Sequence, residues 1–245
     1  MSRVFIATIM PVLLLAGCLA PRANTVPETQ SPAAFPPSAS ITETRTPLPP
    51  TPTLTPTEMP TSTSTPEPVG WRQPTDDYTR VVVNSETLNQ RTLTMLAHAQ
   101  SLYDGELEIT GYAITQGSYS TGVSASFGTH AGGGAVDLSV LQRGTYTVLW
   151  DDIEPLIHAL RAAGFAAWLR EYGELYEGSP IHIHAIAVGD RELSTEAANQ
   201  LTGEAGYFRG YSGLPVSLYG APTQDRYGGP ITCGWMLGLG YGDLR

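Results

Sequence analysis

Hydrophobic and polar residues recur with different periods along residues 70–245, and the periods predict both helices and strands. Apolar residues at helical spacing predict three helices, over residues 85–103, 151–163 and 194–207. Alternating or continuous apolar runs predict four strands, over residues 106–115, 134–140, 165–170 and 181–188. Ser194 is the predicted N-cap of the third helix, and the Gly/Tyr/Pro-rich tail after Gly213 is predicted to be irregular. The elements do not follow a regular βαβ order, so the predicted fold class is α+β, a small antiparallel or mixed sheet flanked by helices.

The first residues have the pattern of a secretory signal peptide. Arg3 precedes an almost uninterrupted apolar run over residues 4–15, which is too short to span a bilayer and ends at the tetrapeptide LAGC. LAGC resembles the bacterial lipobox, and the resemblance implies that residues 1–17 are removed and that Cys18 is lipidated. The predicted location is extracytoplasmic, on a cell membrane that holds the lipid anchor. The alternative is an ordinary signal peptide in which Cys18 is incidental.

A spacer is predicted between the anchor and the folded domain. Residues 18–69 consist largely of Pro, Thr, Ser and Ala, which cannot bury enough apolar surface to fold. In polyproline II conformation such a segment reaches on the order of 150 Å. Residues 70–245 are one domain's worth of chain. The chain has two cysteines, so with Cys18 lipidated we expect a domain that folds without a disulfide and buries Cys233 as a small apolar residue.

The balance of charge limits the possible partners. The formal net charge is −10, and all 13 basic residues are arginine. A surface this acidic disfavours nucleic acid and anionic membrane surfaces. We therefore expect no nucleic-acid partner. Contact with the membrane is expected through the lipid anchor, and the domain is expected to be a monomer.

Two short segments carry the candidate chemistry. The first is HAGGGAVD, residues 130–137, and the second is HIH, residues 182–184. On a strand, His182 and His184 share one face while their apolar neighbours face the core. Two imidazoles and one carboxylate are the ligand set of a catalytic zinc site, and the glycines are expected to let the backbone pass close to the metal. The same ligand types form the iron facial triad, but that triad usually has the spacing H-x-D, so zinc is favoured.

These residues also carry a family resemblance. HAGGGAVD matches the pattern H-x-x-G-x-A-V-D, and HIH matches its downstream partner. The chain resembles the superfamily of D-Ala-D-Ala carboxypeptidases, vancomycin-resistance dipeptidases and the hedgehog signalling domain over about residues 107–188. The resemblance implies a hedgehog/DD-peptidase-like fold and zinc bound by His130, Asp137 and His184. It also implies an amide bond in peptidoglycan stem peptides as the substrate.

The chain departs from that family at the position of the general base. The peptidases usually have Glu three residues before the last His ligand, where this chain has Ile181. Glu177 is the predicted base, with Glu174 and Glu171 in the same loop as alternatives, and His182 is predicted to assist.

The substrate-binding positions also differ from the family pattern. Gln116 stands near the place where the family has an Arg that contacts substrate carboxylate. Gly128 replaces a Ser, with Ser126 and Thr129 nearby. Gln116, Ser126 and Thr129 are the predicted substrate-binding residues, whereas Trp168 is expected in the core.

Three functions are compatible with these residues. The first is a lipid-anchored zinc peptidase that cuts peptidoglycan stem peptides as a carboxypeptidase or endopeptidase. The second is an inactive, zinc-stabilised module that binds cell-wall peptides or a partner protein, and Ile181 is the reason to consider it. The third is hydrolysis of another small amide.

Overall fold

The computed structural model describes residues 70–245 and has an α+β fold with two small antiparallel sheets. The predicted signal peptide, Cys18 and the spacer lie outside the described residues. The strands are β1 (Arg80–Val83), β2 (Glu86–Asn89), β3 (Ile114–Gln116), β4 (Ala135–Ser139), β5 (Phe165–Arg170) and β6 (His182–Ala187). The helices are α1 (Gln90–Leu102), α2 (Trp150–Ala162), α3 (Thr195–Thr202), α4 (Val216–Tyr219) and α5 (Gly234–Gly238). Within residues 70–245, no helix has the length and apolarity needed to cross a membrane.

The larger sheet has the strand order β3-β4-β6-β5, and every neighbouring pair is antiparallel. On β6, His184 lies between Asp137 of β4 and Trp168 of β5, and His182 lies between Ser139 and Arg170. Directly paired residues in antiparallel strands point to the same side of a sheet. One face of the sheet therefore presents two histidines, a carboxylate and an arginine, and the predicted shared face of His182 and His184 is confirmed.

The opposite face of the sheet packs against α1 and α2 and forms the main core. Ile183, Ala185, Leu138 and Leu169 contribute to this core, together with Leu156 of α2. A second core lies on the first face, where Ala166, Trp168 and Ile186 pack against α3 and the C-terminal tail. Because that packing covers only part of the first face, its other end is left to form a site.

The predicted first helix is wrong over its first residues, where the chain forms a hairpin. β1 pairs with β2 through a two-residue turn in which Asn84 and Ser85 have φ of +49° and +68°. Two consecutive left-handed residues are typical of a type I′ hairpin turn. The helix begins after Asn89, whose side chain accepts a hydrogen bond from the Thr92 amide.

The strand predicted over residues 106–115 is also mostly wrong, since only Ile114–Gln116 form β3. Leu107 and Ile109 are buried as the alternation requires, but their backbone turns instead of pairing. The side chain of Gln100 replaces a neighbouring strand: its Oε1 accepts from the Ile109 amide at 2.8 Å, and its Nε2 donates to the Leu107 carbonyl at 3.1 Å. The Gln100 side chain thus forms the backbone hydrogen bonds of this segment that a neighbouring strand would otherwise form.

The remaining predicted elements are confirmed, with shifts at their ends. β4, β5 and β6 lie within the predicted strands. α2 ends before Gly164, which has a φ of +102°. A Cβ atom added at this position would lie 2.9 Å from the Trp235 ring. Ser194 caps α3 by accepting from the Ala197 amide, but α3 stops at Thr202 because Gly203 is extended. α3 is therefore shorter than predicted.

The C-terminal tail contains two short helices and is attached to α2 by a buried ion pair. Arg161 is fully buried and lies 2.7 Å from the Asp225 carboxylate. The same guanidinium donates to the carbonyls of Ala167, Tyr227 and Gly229. Cys233, with 1 % of its surface exposed, is buried in the second core as expected.

Candidate metal centre

A cleft of about 270 Å³ opens over the polar end of the sheet. Its floor is formed by β4, β5 and β6, and its walls come from the loop before β4, the loop before β6 and one side of α3. His130, Asp137 and His184, the three predicted metal ligands, all line this cleft and are nearly buried. The described part of the chain therefore brings together groups that stand far apart in sequence.

Three ligand atoms converge at the bottom of the cleft. His184 Nδ1 lies 2.7 Å from Asp137 Oδ1, and His130 Nε2 lies 3.3 Å from the same oxygen. All three atoms lie within 4.8 Å of one another. Tetrahedral zinc with bonds of about 2.0–2.1 Å separates its ligand atoms by about 3.4 Å, so a small outward movement of His184 would accommodate the ion.

Hydrogen bonds on the far side of each imidazole determine which nitrogen faces the centre. His130 Nδ1 donates to the Gly117 carbonyl at 2.8 Å, so in the neutral ring Nε2 has the lone pair that faces the centre. His184 has a partner at each ring nitrogen, because Nε2 lies 2.9 Å from Gln200 Oε1 and Nδ1 lies 2.7 Å from Asp137 Oδ1. Two imidazole nitrogens and a carboxylate oxygen face one point, and this donor set fits a metal cation, which displaces any proton held between them when it binds.

The electrostatics of the cluster favour positive charge at that point. Burial alone would raise the pKa of Asp137, but His130 and His184 outweigh it and hold that pKa well below its usual value. Burial lowers the pKa of His184 to about 4, so its imidazole is neutral at neutral pH. Burial opposes charge on His130 as well, but the Asp137 carboxylate outweighs it and raises the His130 pKa. The centre therefore consists of an ionised carboxylate that attracts a cation and a neutral ligand beside it.

The glycines of HAGGGAVD allow a close approach between two segments of backbone. An added Cβ at Gly132 would lie 2.3 Å from both the Glu192 carbonyl oxygen and the Ser194 amide, and Gly133 donates its amide to the Glu192 carbonyl at 2.6 Å. The glycines thus allow the His130 turn to pack against the segment before α3. They bring two backbone segments together, and the predicted close approach of the backbone to a metal stays a prediction.

His182 lines the cleft beside the three ligand residues. Its Nδ1 donates to the Pro180 carbonyl at 2.8 Å, so its Nε2 carries a lone pair, and that nitrogen lies 3.7 Å from Asp137 Oδ2. The other predicted catalytic residue, Glu177, is exposed and does not line the cleft. Among the residues that line the cleft in the described chain, Asp137 is the one carboxylate.

The three predicted substrate-binding residues lie together on one wall of the cleft. Gln116 donates from Nε2 to Ser126 Oγ at 2.8 Å, and Thr129 Oγ1 donates to the Ser126 carbonyl at 2.8 Å. These bonds connect β3 to the turn that carries His130. The wall therefore offers amide and hydroxyl groups next to the candidate metal position.

Arg170 is a cleft residue that the sequence patterns did not indicate. It is 3 % exposed, donates to the Ser212 carbonyl at 2.9 Å and lies over the Trp168 ring. Burial lowers its pKa to about 10. The other buried arginines, Arg91 and Arg161, each have an aspartate within 4 Å, whereas no carboxylate of residues 70–245 forms such a pair with Arg170. The one available signal was a charge at the end of the apolar strand FAAWLR.

Trp168 is in the core, as expected, and supports the centre from below. Its ring stacks on His184 with centroids 6.1 Å apart and an interplanar angle of 12°. Its indole N–H donates to the Tyr211 carbonyl at 3.0 Å. The His184 ring is therefore held on one face by Trp168 and at its Nε2 edge by Gln200.

Comparisons with protein-family models, with curated proteins and with solved structures give no significant match to this chain. The family resemblance of the two motifs therefore remains a prediction. The function must be argued from the geometry of the cleft.

Proposed function

We propose that this protein is a zinc-dependent peptidase, held outside the cell membrane by a lipid on Cys18, that hydrolyses an amide bond in peptidoglycan stem peptides. The observation that carries the proposal is the convergence of three potential ligand atoms, from His130, Asp137 and His184, at the bottom of an open cleft. The motif resemblance to the D-Ala-D-Ala carboxypeptidase and hedgehog superfamily, with its zinc and its fold, supports the same function.

The proposed chemistry is hydrolysis by an activated water. A bound Zn²⁺ supplies the Lewis acid that polarises a carbonyl and lowers the pKa of water towards about 7. His182 accepts the proton, because its Nε2 lone pair faces the cleft while Pro180 holds the proton on Nδ1. Gln116, Ser126 and Thr129 line the neighbouring wall, where their amide and hydroxyl groups would hold the substrate amide.

Two residues are candidates for the general base. His182 lines the cleft, whereas Glu177 is exposed on the loop before β6. We expect Glu177→Gln to retain turnover and His182→Gln to lose it. The reverse result would identify Glu177 as the general base. The loop before β6 would then have to close over the cleft for Glu177 to reach the substrate.

Arg170 favours a carboxypeptidase over an endopeptidase. The nearby carboxylates of Glu174 and Asp137 act on Arg170 without forming an ion pair with it in the described residues, and a buried guanidinium without a close anion is costly unless a ligand supplies one. A terminal carboxylate of the substrate is a suitable anion, since Arg binds carboxylates in a forked geometry. We therefore propose that the bond cut is the last one of the stem peptide.

The experiment that tests the function is a muropeptide profile by mass spectrometry. The purified protein is incubated with peptidoglycan in the presence of zinc, and separately with a chelator. Loss of a terminal residue that requires zinc, persists in His158→Gln and disappears in His182→Gln is the expected result. His158 is the matched control because it is an exposed histidine of α2 that pairs with Glu154. An unchanged profile from folded, zinc-loaded protein would refute the peptidase.

One observation favours a second function, a zinc-stabilised module that binds cell-wall peptides. In the described residues that line the cleft, no carboxylate other than Asp137 is present to act as acid or base. A binding module needs only the centre, Arg170 and the polar wall. Such a module would bind stem peptides without changing their mass. The same mass-spectrometric experiment would then show intact stem peptides bound to the protein.

A further inference from the structure

Phe127 has an unfavourable backbone conformation in the turn that precedes His130. Its φ is +50° and its ψ is +23°, which lie in the left-handed region. Glycine and asparagine adopt this region readily, whereas a bulky side chain there is an outlier that costs stability. The turn is held on both sides of Phe127, because Thr129 Oγ1 donates to the Ser126 carbonyl and Gln116 Nε2 donates to Ser126 Oγ. These hydrogen bonds therefore help to impose the conformation.

The other residues with positive φ in the described chain, apart from glycines, have an evident structural role. Asn84 and Ser85 form the turn between β1 and β2. Tyr119 packs its ring against the guanidinium of Arg80. Phe127 contributes to neither core, and its ring has no stacking or cation–π contact with another described residue. Packing within the described chain therefore does not account for a phenylalanine at this position.

Phe127 lies where two cavities meet. It lines the cleft over the candidate metal centre, and it also lines a second cavity of about 250 Å³ beside α3 and residues 213–216. Thr129, Gln200 and Leu214 line both cavities as well, so the two adjoin. A ligand that reaches the metal centre and extends into the second cavity therefore passes Phe127.

We propose that Phe127 is a specificity-determining residue whose ring contacts the substrate where the substrate passes from the metal cleft into the second cavity. The substrate is then a peptide of several residues, and not a dipeptide or another small amide. The proposal rests on the proposed function, because a peptide must occupy the metal cleft. The turn already holds the ring at the boundary between the cavities, so little conformational entropy is lost when a peptide binds.

The first test measures binding of two phosphinate analogues, one of a stem pentapeptide and one of its C-terminal dipeptide. The phosphinate replaces the last amide, so neither analogue is hydrolysed while titration calorimetry of the zinc-loaded protein gives Kd. The wild type should bind the pentapeptide analogue more tightly, and Phe127→Asn should weaken that binding about 10-fold without changing the dipeptide Kd. Phe127→Tyr, which keeps the ring, should bind both like the wild type. Tyr146→Asn is the control, because Tyr146 is 97 % exposed and lines neither cavity.

The second test compares the thermal stability of the same proteins. Asparagine tolerates the left-handed conformation, and the Phe127 ring contributes to neither core. Phe127→Asn should therefore melt at the wild-type temperature or up to about 4 °C higher. A ring that served only to pack the turn would give a lower melting temperature instead.

Equal affinity of the wild type and Phe127→Asn for the pentapeptide analogue would overturn the proposal, and so would a lower melting temperature of Phe127→Asn. Both results leave the proposed function intact. Failure of the zinc-loaded wild type to bind either analogue would refute the proposed function, and the contact with Phe127 along with it. Binding that depends on Phe127 in a protein that does not hydrolyse stem peptides would support the contact and favour the binding module over the peptidase.

Discussion

Removing the charge of Asp137 is the most direct test of the centre. The carboxylate contacts His184 at 2.7 Å and His130 at 3.3 Å, and it is the shared neighbour of both imidazoles. Asparagine has nearly the same shape, and its amide can still bond to one of the rings. Asp137→Asn therefore removes a ligand charge while it preserves the packing of β4 against β6. We expect a folded protein in which zinc increases stability much less than in the wild type.

The size of the effect follows from linkage between binding and folding. A metal that binds only the folded state at 100 times its dissociation constant stabilises it by about 2.7 kcal/mol. In a domain of this size, 1 kcal/mol shifts the melting temperature by about 2–4 °C, so the wild-type shift is about 5–11 °C. If Asp137→Asn weakens binding 100-fold, the same zinc concentration leaves about 0.4 kcal/mol. That corresponds to a shift of about 1–2 °C.

The assay is thermal unfolding followed by circular dichroism, with zinc and with excess chelator. Asp151→Asn is the matched control, because Asp151 is an exposed aspartate in the first turn of α2 that does not line the cleft. It should keep the full zinc-dependent shift. The reasoning is refuted if the wild type shows no shift at saturating zinc, or if Asp137→Asn keeps the wild-type shift.

Three further substitutions test other parts of the structure. His182→Gln should keep the zinc-dependent shift in melting temperature but lower kcat about 10²–10⁴-fold, measured by release of the terminal amino acid; unchanged kcat would exclude His182 as the base. Arg170→Met should raise KM for peptides with a free C-terminal carboxylate and leave KM for their C-terminal amides unchanged; equal effects on both would rule out carboxylate recognition. Asp225→Asn should lower the free energy of unfolding in urea by about 3–5 kcal/mol, because it leaves Arg161 buried without its anion. The exposed pair of Asp243 and Arg245 is the comparison, where Asp243→Asn should cost less than about 1 kcal/mol.

The sequence alone predicted the elements whose patterns reflect the period of the backbone. β4, β5 and β6 were found from apolar residues in short runs, and α2 from helical spacing. The alternation of His182 with apolar neighbours also predicted that His182 and His184 share a face, because side chains on a strand alternate strictly. Two histidines and a carboxylate are residue types that bind zinc, and the resemblance of HAGGGAVD and HIH to a family pattern implied which three residues are the ligands.

Only the tertiary structure decided which groups act on those ligands. Arg170 enters the cleft because β5 pairs with β6 in a register that places it opposite His182, and Gln200 reaches His184 because α3 packs over the sheet. Neither relation leaves a period or motif in the sequence. The same holds for Gln100, which replaces a strand for residues 107–109. Local patterns determine which elements form, whereas hydrogen bonds between distant residues determine the tautomers, charges and partners on which the chemistry depends.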